Sequence, residues 1–154
     1  MGVYVEPAPP YPERYTKGVW LFNARHFFEC HEILEHLWLE SIGTPKTFYQ
    51  TLIHAAVCLV HWENGNRKGV LSLHHTFEQK ASALPAPVYM GLDMAQLRAE
   101  MAALAGPLRA DPGLALVPFS ELLTPRIHVT GFEPTPVDEH ELKILSREIE
   151  EEEE

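Results

Sequence analysis

The chain has 154 residues, 45% hydrophobic and 22% charged, the size and composition of one globular domain rather than of a wholly disordered chain. Its longest unbroken apolar run, Ala55 to Val60, falls far short of a membrane span, and the start Met1 to Glu6 has no basic stretch leading into an apolar one, so a soluble, cytoplasmic protein is expected. The formal charge of −10 sits mainly in the tail, where Asp138 to Glu154 holds nine acidic residues against Lys143 and Arg147; the twelve Lys and Arg are scattered, with only Arg67 and Lys68 adjacent, and form no basic stripe of the kind nucleic-acid binding needs.

Pro7, Pro9, Pro10 and Pro12 make residues 1–14 an extended leader. From Tyr15 to Ser41 no proline intervenes, and Trp20, Phe27, Cys30, Leu34, Leu37 and Trp38 recur at helical spacing, which predicts one long first helix. Gly43-Thr44-Pro45 breaks it, with Thr44 the expected N-cap of a second helix that runs to about Glu63. This second helix is apolar almost all round, which marks it as the central one.

After the turn at Asn64-Gly65-Asn66, a third helix carries Val70, Leu73, Phe77, Ala81 and Leu84 on one face. A fourth is expected from Met94 to Ala105, capped by Asp93 with Gln96 and closed by Gly106-Pro107. Short connections predict an all-α, compact antiparallel bundle of about four helices over residues 15–106. Residues 107–154 read as a largely irregular, Pro-rich loop and acidic tail, with one short strand at Arg126–Thr130 and one short helix from Val137 to Glu150 bearing Leu142, Leu145 and Ile149. That tail is either solvated or an arm laid on a neighbouring subunit.

The densest ionisable group is Glu29-Cys30-His31-Glu32-Ile33-Leu34-Glu35-His36 in the first helix, where His31 and Glu35, four apart, meet on the surface. On the second helix Gln50, His54 and His61 fall within about 40° of one another by the helical repeat, a polar stripe on a buried element. Buried polar groups need partners, so the two sets are expected to meet between the helices.

Three readings of that cluster stay open: a buried hydrogen-bond network, a metal site, and metal-free acid/base chemistry. As a metal site, His31 and Glu35 with His54 would hold zinc or iron, a divalent transition metal, and Glu32 would act as general base. The text H-E-x-x-E is a near miss of H-E-x-x-H, and His54 and His61 stand about 10.5 Å apart along the axis, an awkward separation for ligating one ion. His26, His36, His74 and His75 read as surface or edge histidines, and Cys30 and Cys58 as small core residues rather than a redox pair. No nucleophile elbow or phosphate-cradling loop occurs.

The run Phe22-Asn23 with Phe27 to Glu35 and Trp38 resembles the signature of a bacterial and archaeal family known as domain of unknown function 309. Gln50-Thr51-Leu52-Ile53 leading to His61, Gly65-Asn66-Arg67-Lys68-Gly69, and Met90-Gly91-Leu92-Asp93 agree with it, so that the resemblance runs from about Trp20 to Ala105. Thr51 stands where a glycine is usual and His54 where glutamine is common. The resemblance implies a small, all-helical, often self-associating protein without an established activity, and it singles out Glu29, His31, Glu32, Glu35, Trp38, Gln50, His61 and Asn66. The expectation is a small helical binding or assembly module, a homo-oligomer that binds neither nucleic acid nor membrane. The alternative is a metal-dependent hydrolase; the sequence names no small-molecule ligand.

Overall fold

A computed structural model describes residues 6–153, with side chains described for residues 6–146. The Met1–Val5 start and the side chains of the terminal glutamate run, with Ile149, lie outside these. The described chain is mostly helical: α1 (Glu13–Asn23), α2 (Phe27–Glu40), α3 (Gly43–Glu63), α4 (Arg67–Ser82), strands β1 (Val88–Tyr89) and β2 (Leu92–Asp93), α5 (Met94–Ala110), a 3₁₀ turn at Phe119–Glu121, and α6 (Glu139–Glu153). The count is six helices rather than about four. Among the described residues no helix is long and apolar enough to cross a membrane.

Where one first helix was expected, two form. Ala24-Arg25-His26 separates them, with Arg25 at φ +68°. His26 N–H donates to Leu21 O and Arg25 N–H to Phe22 O, the paired bonds that close a helix in a Schellman turn. The α3–α4 junction uses the same bonds, Asn66 N–H to His61 O and Gly65 N–H to Trp62 O, with Gly65 at φ +72°. Glycine takes that conformation freely; an arginine has to be held there. The guanidinium of Arg25 donates to Phe119 O at 2.6 Å and lies 4.4 Å above the Phe119 ring.

α3 is the central helix, packed between α2 and α4, while α1 lies on α2 and α5 on α4. Its buried residues include Phe48, Leu52, Ala55, Ala56 and Leu59, all without exposed surface. The N-cap of α3 is Ile42 and makes no side-chain cap bond, so Thr44 sits one residue inside the helix instead of capping it. The expected cap of α5 holds, Asp93 Oδ1 accepting from Gln96 N–H at 2.9 Å, and Asn66, expected only as a turn residue, caps α4 by accepting from Gly69 N–H at 2.9 Å.

The C-terminal third is less irregular than expected. α5 runs through Pro107 to Ala110, and Arg67, at the start of α4, donates to Leu108 O in its last turn and to Asp111 O and Leu114 O beyond its end. Val88–Asp93, which sequence patterning left without a strand, is a tight hairpin turning at Met90 and Gly91, both at positive φ. The expected Arg126–Thr130 strand reduces to a bridge between Val129 and Leu92. α6 packs on α2, is tied to α1 by Lys17 Nζ to Glu141 Oε1 at 2.7 Å, and is buried through Leu145.

Candidate functional site

α2 builds the site from one turn of helix. Cys30, Ile33, Leu34 and Leu37 fix one face of α2 in the core, Glu32 is buried as well, and His31 and Glu35 stand at the more open edge. Through the i, i+1, i+4 spacing, His31, Glu32 and Glu35 each place one ligand-type atom within 4.8 Å of the others. His31 Nε2 lies 3.3 Å from Glu35 Oε2, and its Nδ1 lies 3.7 Å from Glu32 Oε1. The side chains are 25%, 7% and 39% exposed for His31, Glu32 and Glu35, so the group is closed around Glu32 and open at the other two. The Phe28 ring stands edge-on to the imidazole at 5.7 Å. A shallow groove of about 40 Å³ adjoins, between Glu32, Glu35, His36 and Leu39.

The polar residues of α3 do not join that group; they separate along the helix. Gln50 lines a cavity of about 530 Å³ with Trp38, Thr44, Lys46 and Thr47 at the start of α3, where Lys46 Nζ lies 5.2 Å above the Trp38 ring and Trp38 Nε1 is buried without a partner. For His54, burial first and then the Lys80 ammonium of α4 hold the imidazole below its ordinary value, and its Nδ1 is buried without a partner. His61 Nδ1 lies 3.2 Å from Asn66 Nδ2 at the α3–α4 turn. Because Asn66 Oδ1 is committed to Gly69 N–H, its amide is the donor and His61 Nδ1 the acceptor. Glu29 turns the other way, accepting from Ser146 Oγ of α6 at 3.4 Å.

The expected cluster between two helices therefore becomes a compact group on α2 and a series of separate contacts along α3. The reason is that α3 sits between two neighbours, and the face bearing His54 meets α4. His74, read as a surface or edge histidine, is 7% exposed, and Arg109 Nη2 lies 2.9 Å from its Nδ1. Its spacing with Val70, Phe77 and Ala81 on the apolar face of α4 was the signal for burial. Lys46 was missed because nothing local ties it to Trp38. Neither cysteine is a nucleophile: burial pushes Cys58 up to about 12 and Cys30 further still.

The chemistry this arrangement offers is a nitrogen and two carboxylates at ion-binding separations, a donor set compatible with zinc or iron. The family model "Domain of unknown function (DUF309)" matches residues 15–73, which take in α1 from Tyr15 onward, α2, α3 and the first two turns of α4. A relative, "Uncharacterized protein YpuF" of Bacillus subtilis (strain 168), is 38% identical over 65 residues, a stretch that makes up 41% of this chain and 37% of that protein. The chain thus spans little more than a third of that relative's length. Both findings agree with the resemblance carried by the α2, Gln50 and Asn66 motifs, and the Met90–Asp93 motif lies beyond the residues the family model matches.

Proposed function

We propose that this chain, whose residues 15–73 carry the match to the DUF309 family, is a small non-catalytic binding module centred on His31, Glu32 and Glu35 and taking one divalent transition-metal ion, zinc or iron. The observation that carries this reading is the convergence of three donor atoms within 4.8 Å on a single helical turn. A helix anchored by a buried face holds its donors with little conformational entropy left to lose on binding. Glu32, 5% exposed, puts a carboxylate where the attraction to a cation is weakly screened, and the more open His31 and Glu35 provide the route in.

The hydrolase alternative fits this geometry less well. It requires His54 as a ligand so that Glu32 stays available as a base, yet the donors that converge are His31, Glu32 and Glu35. The adjoining groove of about 40 Å³ is also far below the roughly 300 to 1,000 Å³ of pockets that hold small-molecule ligands. Elemental analysis of protein purified without a histidine tag tests the reading. The expected result is about one zinc or iron per chain, lost in His31→Ala and in Glu35→Ala; less than about a tenth of an equivalent would overturn it, since a three-donor site retains its ion.

A further inference from the structure

The cavity of about 530 Å³ at the start of α3 has no part in the metal reading. It lies where three helices end or begin: Trp38 comes from the last turn of α2, Thr44, Lys46, Thr47 and Gln50 from the first turns of α3, and Leu84 from just past α4. Unlike the groove beside Glu32, it falls within the roughly 300 to 1,000 Å³ of pockets that hold small organic molecules.

Lys46 is the single charge among the described residues that line this cavity. Its ammonium meets the Trp38 ring, 5.2 Å from the centroid, rather than a carboxylate. A cation held on a ring face keeps its full charge and its three N–H donors. Around it, the Thr44 and Thr47 hydroxyls and the Gln50 amide bond to no other group among the described residues, and Trp38 Nε1 is a buried donor without a partner. Buried donors are nearly always paired. A cation, two hydroxyls, an amide and an indole N–H, all uncommitted in one cavity, call for an acceptor from outside the chain.

We propose that this cavity binds a small organic monocarboxylate, with its carboxylate on Lys46 and Gln50 and its apolar body against Trp38 and Leu84. Charge decides between oxyanions. A carboxylate carries one negative charge and matches the one ammonium. A phosphate monoester carries about 1.5 to 2 at neutral pH and would leave negative charge uncompensated in a chain already at −10. The two carboxylate oxygens accept about four hydrogen bonds, which the ammonium, amide and hydroxyls can supply. Acetate alone would leave most of the cavity unfilled, and Leu84, packed on the core, offers the rest of the ligand an apolar wall.

Titration of the full chain, labelled with nitrogen-15, with benzoate and with hexanoate tests this through the indole N–H resonances. The Trp38 resonance, assigned with Trp38→Phe, should move to saturation, while that of Trp62, whose Nε1 donates to Val117 O at 2.8 Å, stays in place. Benzamide, which has the same body without the charge, and inorganic phosphate should each bind roughly tenfold more weakly than benzoate. Lys46→Met, which keeps an apolar chain over the Trp38 ring, should weaken benzoate by a similar factor, as loss of a charge-assisted hydrogen bond does. A Trp38 resonance that neither carboxylate moves at millimolar concentration overturns the proposal, and so does benzoate binding that Lys46→Met leaves unchanged. Benzamide binding as tightly as benzoate, or phosphate binding more tightly, overturns the carboxylate assignment. None of these outcomes bears on the metal reading.

Discussion

A methyl group added at Gly69 would lie 2.5 Å from His61 Cγ and 2.8 Å from Asn66 Nδ2, so position 69 is glycine for the sake of its neighbours. Gly69→Ala should therefore cost about 1 to 3 kcal/mol, read as a lower urea midpoint, as overpacking of a fixed site does. Much of that loss should be recovered in a His61→Ala background, because the clash is with that ring. His74 makes a second prediction. Burial first, and then the Arg109 guanidinium, hold its pKa below the ordinary 6.5. As pH falls through 6.5 the unfolded chain takes up a proton there and the folded chain does not, so stability is full above that value and declines below it. In urea titrations between pH 7.5 and 5, His74→Gln should show a shallower decline than the parent; equal slopes would contradict this. The local residue roles were legible where chemistry is local, as with the cap Asp93. Arg109 against His74 was not, because it joins residues 35 apart in sequence.

Among the elements, α3 and α4 were read correctly because a turn with glycine at the left-handed position separates them, and α5 because Asp93 caps it. The α1–α2 junction makes the same turn with Arg25, and its punctuation is missing from the text: no glycine or proline marks it. What holds Arg25 in place is Phe119, distant in sequence, so the periodicity of Trp20 to Trp38 carried a single helix straight through. α5 shows the converse, with a proline that does not stop a helix whose last turn is held by Arg67 at Leu108 O. The α1–α2 packing depends on Gly18, where an added Cβ would lie 2.8 Å from Leu34 Cδ2 in the core. Gly18→Ala should destabilise by about 1 to 3 kcal/mol in denaturant melts even though alanine is the better helix former, since overpacking outweighs a propensity gain of about 1 kcal/mol. A gain in stability would mean that Leu34 can yield and that the two helices are not closely fitted there.

At the scale of the whole molecule, the segment expected to be loose is a belt fastened to the bundle. Asn23 exchanges two hydrogen bonds with the backbone of Ile127, Thr16 and Thr135 share one between hydroxyls at 2.7 Å, and Trp62 Nε1 donates to Val117 O at 2.8 Å. Each joins a helix to a residue far along the chain, and a sequence read by local period and turn residues carries no trace of such pairings. The candidate site was half legible for a related reason. His31, Glu32 and Glu35 sit on one helical turn, so their spacing alone brought them together. Joining them to His54 and His61 required knowing which face of α3 meets which neighbour, and those faces were assigned otherwise by the packing of α4 and the turn at Asn66. The bundle and its belt hold α2 with one face in the core, and that placement leaves three donors on one turn as one group, buried at Glu32 and open at His31 and Glu35. Anomalous scattering at the zinc edge, from crystals grown with one equivalent of zinc, tests this most directly. The account predicts a peak within about 2.0 to 2.2 Å of a His31 nitrogen and of one oxygen each from Glu32 and Glu35. No peak at that turn, or zinc held at His54 without those three residues, would contradict it.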